Sequence, residues 1–291
     1  MASMRDIKRR RASIQSTGQI TKAMKLVSTV KLQKSRTKAE SSKPYFSEMY
    51  ETIASMLEKT GNMHHKYLRS GAAGKRAVIA ITSNRGLAGG YNSNIVKLIA
   101  ASPELDPIGT KVYSIGKKGR DGLIRKGYEI AEDYSEIINE PLYQDAADLT
   151  QELLSEFGSG EIVEIYLAYT SFKNTVVHTP KLMRLLPFDK EAAAATANVQ
   201  GEPKSQALMN YEPSAEEVLD KIIPKYMSSM IYGALLEAVA SENGARMTAM
   251  DSATNNAEEM LGKLDIQYNR ARQGSITQEL TEIIAGANAI G

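Results

Sequence analysis

A chain of 291 residues, 42% hydrophobic and 24% charged, holds enough apolar surface for one large domain or two modest ones. Without cysteine it relies on neither disulfides nor thiolate metal sites, and no apolar run approaches the roughly 18 residues of a membrane-spanning helix. A net charge of +2 hides an asymmetry: residues 1–40 carry eleven Lys or Arg against two acids, and residues 212–291 carry twelve acids against six bases. Such opposite ends favour pairing with each other. Aromatics are thin at 6%, with no Trp and 13 Met, which favours helix-rich packing.

Residues 3 to about 60 read as one long helix. Its apolar stripe is taken as Ile7, Ile14, Ile20, Met24, Val27 and Val30 or Lys31, mostly at spacings of 3, 4 or 7. Pro44 should bend it and Gly61-Asn62 should end it. Residues 62–74 form a polar, glycine-bearing linker in which His64 and His65 are expected to be solvated.

From Arg76 the period changes. Ala77–Thr82 suits a buried strand, followed by a glycine-rich turn at Asn84–Gly90 and a helix near Tyr91–Ala101. Further strands are expected at Lys111–Ile115 and Tyr128–Asp133, with a short helix near Lys117–Lys126 between them. A helix at Asp145–Phe157 then precedes strands Glu161–Thr170 and Thr175–Leu186, paired across Ser171–Asn174. Alternating strands and helices imply a mostly parallel, doubly wound sheet with an antiparallel edge.

Residues 189–206 read as an irregular connection. Helical periodicity returns from Ser214 to about Ala287. Val218, Ile222, Tyr226, Met230, Ala234, Ala238, Ala245, Ala249, Ala253, Ala257, Leu261, Leu264 and Tyr268 form a stripe, which Ile276, Leu280 and Ile283 continue. Pro224 is its expected interruption. A rod of this length spans roughly 105–110 Å, so much of it must lie outside the sheet domain. The predicted architecture is α/β plus all-α: an antiparallel coiled coil of long N- and C-terminal helices with an inserted Rossmann-like α/β domain. The boundaries are 1–61 for the first helix, 62–206 for the central domain with its linkers, and 207–291 for the last helix. The first helix is the shorter, so the uncharged apolar end from Ile283 should project as a single helix that something else covers.

No motif points to catalysis, a metal or a cofactor. Arg85-Gly86-Leu87-Ala88-Gly89-Gly90 has the wrong glycine spacing for a dinucleotide turn, and Gly116-Lys117-Lys118 stands where an acid would bind ribose. Gly74-Lys75-Arg76 lacks the upstream Gly and the Ser/Thr of a phosphate loop. His64, His65 and His178 show no ligand spacing. The basic run Arg5, Lys8, Arg9, Arg10, Arg11 reads as a solvated or partner-facing helix surface. Nucleic-acid contact is a second reading, without the aromatic interleaving that would support it, and membrane-surface binding a third, with few bulky apolar residues opposite. A nucleotide-binding enzyme built on the central domain, or a coiled-coil nucleic-acid scaffold, are the rival functions.

Three stretches carry a family likeness. Ile14-Gln15-Ser16-Thr17-Gly18-Gln19-Ile20-Thr21-Lys22-Ala23-Met24-Lys25 resembles the start of the F-type ATP synthase gamma subunit family. Glu242-Asn243-Gly244-Ala245-Arg246-Met247 through Ala257, and Tyr268-Asn269-Arg270-Ala271-Arg272-Gln273 through Ile283, resemble its C-terminal signature. Ser83–Asn92 is similar to its central-domain turn. The resemblance implies that the basic Met1–Arg11 is helix rather than a cleaved presequence. It also implies a bacterial type without the cysteine-bearing insertion of chloroplast members.

It further implies a non-catalytic central stalk, one copy per complex, inside a ring of three alpha and three beta subunits. The epsilon subunit and the c-ring would be its partners at the foot, with no nucleic acid and no cofactor. Membrane association would be indirect, on the cytoplasmic side of the cell membrane. Residues matched to family coupling contacts are Lys22, Met24, Arg246, Arg272, Gln273 and Thr277, with Tyr211 and Glu212 at the foot. Arg and Gln suit the task because they make charge-assisted or multiple hydrogen bonds that exist at one angle and not another. Met24 equally suits the core of the helix pair, and Arg272 a solvated charge.

Overall fold

A computed structural model describes residues 4–59, 65–68, 71, 74–175, 177–188 and 214–290. Helix α1 is Met4–Lys59 and carries Pro44 within it. Next come β1 (Lys75–Ile81), α2 (Tyr91–Ala101), β2 (Thr110–Ile115), α3 (Lys117–Ile124) and β3 (Glu129–Asp133). Then α4 (Tyr143–Ser159), β4 (Ile162–Phe172) and β5 (His178–Leu186) lead to α5 (Ala215–Ile290). Helix α5 runs through Pro224 without the expected interruption. A proline inside a helix removes one backbone donor, and the surrounding turns hold. The expected stop at Gly61-Asn62, His64 and the connection 189–206 lie outside the described residues.

The chain divides into two compact units, Val30–Ala245 and a second made of Met1–Thr29 with Arg246–Gly291. In the larger unit the strand order is β3-β2-β1-β4-β5, parallel except for β5, which pairs antiparallel with β4. The central strand shows why this sequence makes a two-faced sheet. Ala77, Ile79 and Ile81 enter one core with Leu149, Leu153, Tyr226 and Ile231 from the flanking helices. Val78 and Ala80 enter the other with Ile95 and Ile99 of α2 and Leu123 of α3. A β-branched run with no exposed face fits a strand covered on both sides. At Gly160, φ of 82° ends α4 in the left-handed conformation and turns the chain into β4.

His65 corrects the solvated-linker expectation. It is buried, its Nδ1 accepts the Tyr67 N–H (3.3 Å), and its Nε2 lies 3.4 Å from Asp220 of α5. The Lys66 ammonium, 2.9 Å from Asp220, holds that carboxyl below the usual carboxylate range. A polar sequence context gave no sign of this, because the partner lies far along the chain.

In the smaller unit, the N-terminal part of α1 and the C-terminal part of α5 are antiparallel. Arg11 pairs with Asp265 (2.8 Å), Gly18 faces Ala257, Thr21 bonds Thr254 (2.8 Å) and Lys25 pairs with Asp251 (2.6 Å). As one index rises the other falls by the same amount. Both ion pairs join a base of the first helix to an acid of the last, as the charge asymmetry predicts. Continuing this register sets Met4 opposite about Arg272, so the helix beyond has no partner helix among the described residues.

Candidate functional site

On α1 the residues turned inward are Ile7, Ile14, Gly18, Thr21, Lys25 and Ser28. On α5 they are Met250, Thr254, Ala257, Leu261, Leu264, Tyr268, Ala271 and Ser275. Steps of 3 and 4 alternate almost throughout, the spacing of a two-helix seam. The middle of this seam is small and polar. At its centre the Thr21 and Thr254 hydroxyls bond each other, and Thr254 also donates to the Met250 carbonyl (2.8 Å).

The expected α1 stripe therefore fails in its middle. Ile20 and Val27 are each 58% exposed, Leu26 is 62% exposed, and Val30 in the larger unit is 70% exposed. The step from Ile14 to Ile20 is six residues, which carries the stripe off the seam and onto the outside. Over that stretch the apolar residues of α1 lie on an outward face, and its side of the seam is built from Gly18, Thr21, Lys25 and Ser28. Ile20, Leu26 and Val27 are the functional candidates that periodicity missed. On α5, Met260, Ile266, Ile276, Leu280, Ile283 and Ile284 are likewise exposed. Unlike scattered apolar residues, runs of this kind on both helices mark surfaces made to be covered.

The six predicted coupling residues all belong to this unit, but they form no single cluster. Lys22 is exposed and Met24 half-buried, flanking the seam near the level of Thr254. Arg246 is half-buried and lies about 12 Å along α5 from that level, on a rise of about 1.5 Å per residue. Arg272, Gln273 and Thr277 are exposed near and beyond the end of the pair, about 30 Å the other way. There the Thr277 hydroxyl donates to the Gln273 carbonyl (2.9 Å), and the helix continues through Ile290. Tyr211 and Glu212 lie outside the described residues.

In the larger unit, the polar groups of the glycine-rich turn are spent on the fold. Asn84 Nδ2 donates to the Ser135 carbonyl (2.7 Å), and Asn84 Oδ1 accepts the Lys117 N–H (3.1 Å). Asn92 Oδ1 accepts the Ser83 N–H (2.9 Å), and the Thr82 hydroxyl oxygen accepts the Gly119 N–H (2.9 Å). Gly116, at φ 113°, lies where a Cβ would stand 2.4 Å from the Thr82 carbonyl oxygen, so only glycine fits. An open surface depression of about 410 Å³ along α4 is lined by Asp148, Gln151, Glu152, Ser155 and Glu156. Its carboxylates already accept from Tyr113, Tyr134 and Lys111, and their charge opposes a phosphate ligand. Burial and those carboxylates push both phenols' pKa upward, which keeps them protonated donors. Among the described residues no helix is long and apolar enough to cross a membrane.

A family model described as ATP synthase matches residues 3–290. The chain is 62% identical over its whole length, and the whole of the relative's, to an ATP synthase gamma chain of Lachnoclostridium phytofermentans. It is 42% identical to the ATP synthase gamma chain of Acetobacterium woodii named as sodium ion specific, covering 99% of each chain. Among solved structures, a chain of the Euglena gracilis mitochondrial ATP synthase, in its OSCP/F1/c-ring assembly in rotational state 3, matches with a TM-score of 0.67. That match covers 99% of this chain and 94% of the other at 18% identity, a likeness of fold.

Proposed function

From the premise that this chain belongs to the ATP synthase gamma chain family, we propose that it is the non-catalytic central shaft of a bacterial rotary ATP synthase. The observation that carries this reading is the inverted helix pair. The middle of its seam is small and polar, and there the apolar residues Ile20, Leu26 and Val27 of α1 face outward, as in a shaft that meets its partners on the outside.

One asymmetric shaft within a ring of three alpha and three beta subunits touches its three catalytic neighbours differently. Each difference in contact energy shifts that neighbour's conformational equilibrium, and hence its nucleotide affinity. A tenfold change in affinity needs about 1.4 kcal/mol of differential contact, within reach of a few side chains at each angle. Lys22, Met24 and Arg246 serve this role along the pair, and Arg272, Gln273 and Thr277 near the tip. The exposed stretch from Ile276 to Ile284 would be sheathed by the ring. Tyr211 and Glu212 would meet the c-ring, beside the epsilon subunit, on the cytoplasmic side of the cell membrane. Ion flow through the c-ring turns the shaft toward ATP synthesis, and hydrolysis turns it back. A proton is the coupling ion of this reading, and nothing the shaft does depends on which ion turns it.

Co-purification tests the assembly: one copy of this chain should come down with three alpha and three beta subunits. Arg272→Ala with Gln273→Ala should then lower rotation-coupled turnover in the complex while leaving the free chain's fold intact, since exposed changes cost under about 0.5 kcal/mol. Full turnover in the double variant would remove both residues from the coupling set.

A further inference from the structure

In open α/β sheets the crevice for ligands lies at the C-terminal ends of the strands, where the strand order reverses. Here that point falls between β1, which leads on to β2 and β3, and β4 on its other side. The pairing of β1 with β4 stops at Ala168, yet β4 runs on to Phe172 with β5 alone beside it. Beyond Ala168, backbone groups of β4 therefore need other partners, and α5 supplies them. Ser241 Oγ donates to the Thr170 carbonyl (3.1 Å), and a Glu237 carboxylate oxygen accepts the Phe172 N–H (3.1 Å). From the β1 side, the Tyr91 hydroxyl at the start of α2 donates to the Ala238 carbonyl of α5 (3.2 Å).

Glu237, Ser241 and Gly244 stand four and then three residues apart, on one stripe of the helix. Gly244 lets the stripe close onto the hairpin, because a Cβ there would stand 2.7 Å from His178 Cε1. Buried Ala234, Ala238 and Ala240 let the same turns approach closely. Close packing holds these turns against the sheet, and hydrogen bonds add direction because they weaken steeply when misaligned. Turning α5 by one residue, about 100°, would break all three bonds and carry Gly244 off the His178 ring.

We infer that Tyr91, Glu237 and Ser241 are positioning residues that clamp α5 rotationally to the sheet at its switch point, so that torque delivered to the α/β unit passes to the helix. This rests on the shaft reading above. The crevice that binds a ligand in other doubly wound sheets is here filled by the chain's own helix.

The test is the angular spread of a probe on the α/β unit of the assembled, surface-held complex with ATP withheld. Because the chain has no cysteine, Ile108→Cys, at a position 90% exposed, gives a unique attachment on this subunit. The triple variant Tyr91→Phe, Glu237→Ala, Ser241→Ala should widen the angular variance about twofold, the loss of three directional bonds from one clamp. Restoring Glu237→Gln in place of Glu237→Ala, which returns an acceptor, should narrow it. If the triple variant does not assemble, Tyr91→Phe and Ser241→Ala singly should each widen the spread by less. A role in folding alone would lower the yield of complexes without changing the spread in those that form. An unchanged spread would overturn the clamp, whereas a wild-type probe that fails to turn when ATP is added would overturn the shaft reading instead.

Discussion

Two helical glycines, both in stretches that carry the family likeness, should respond to the same substitution with opposite sign. At Gly18 a Cβ would stand 3.4 Å from the Ala257 Cβ, an ordinary contact. Gly18→Ala therefore removes the helix penalty of glycine, about 1 kcal/mol, and adds a partly buried methyl worth somewhat less than about 0.8 kcal/mol. The helix pair should gain about 1–1.5 kcal/mol, and amide exchange around Gly18 and Ala257 should slow about five- to tenfold. At Gly244 the new methyl meets the His178 ring at 2.7 Å. That ring cannot swing away freely, since its Nε2 lies 3.2 Å from the Thr175 carbonyl and the Phe172 ring stands beside it, tilted, with centroids 6.0 Å apart. Overpacking costs about 1–3 kcal/mol against the same propensity gain of about 1, for a net loss of up to about 2 kcal/mol. Exchange along α5 near Glu237 and Ser241 should accelerate up to about thirtyfold. Hydrogen exchange read by mass spectrometry on the full chain resolves both segments in one experiment. Shifts of the same sign at the two sites would refute the packing assigned to them.

The buried hydroxyl pair should behave as a coupled unit. Thr21→Val or Thr254→Val alone should cost about 1 kcal/mol, whereas the double change should be near neutral in thermal melting, because no buried hydroxyl is left facing an apolar one. Additive losses would remove the pair as a register device. His178 should give a pH signature. Burial lowers its pKa from the ordinary 6.5, so the unfolded chain binds the proton more readily. Stability should be level above pH 6.5 as far as this group is concerned, and fall as pH drops below it. His178→Phe should flatten that slope in melting experiments across the range, and an undiminished slope would assign the effect to another group.

Much of the architecture was legible because strong local signals agreed with the fold. The run from Ala77 is β-branched and bounded by glycine-bearing turns, and the helix at Tyr91–Ala101 has the predicted bounds. The crossing ion pairs Arg11–Asp265 and Lys25–Asp251 follow the charge asymmetry. On α5 the seam was legible, since Ala257, Leu261, Leu264 and Tyr268 of the predicted stripe turn inward. On α1 it was not, since Gly18, Thr21, Lys25 and Ser28 carry no apolar signal while Ile20 and Val27 do. The alternation of three and four among small residues was the signal available. His65 was missed because its partner Asp220 is brought close only by the fold. The proposed coupling residues have no local signature and rest on the family resemblance alone. The stripe Glu237, Ser241, Gly244 reads from sequence as ordinary helix, and only the shortfall of β1 beside β4 gives it meaning.

Rotation of single complexes bears most directly on the shaft itself. With the alpha and beta ring fixed to a surface and a bead on the α/β unit of this chain, adding ATP should turn the bead in one direction. It should pause three times per revolution, once for each catalytic neighbour. Steady hydrolysis by the same complexes beneath a stationary bead would contradict the account.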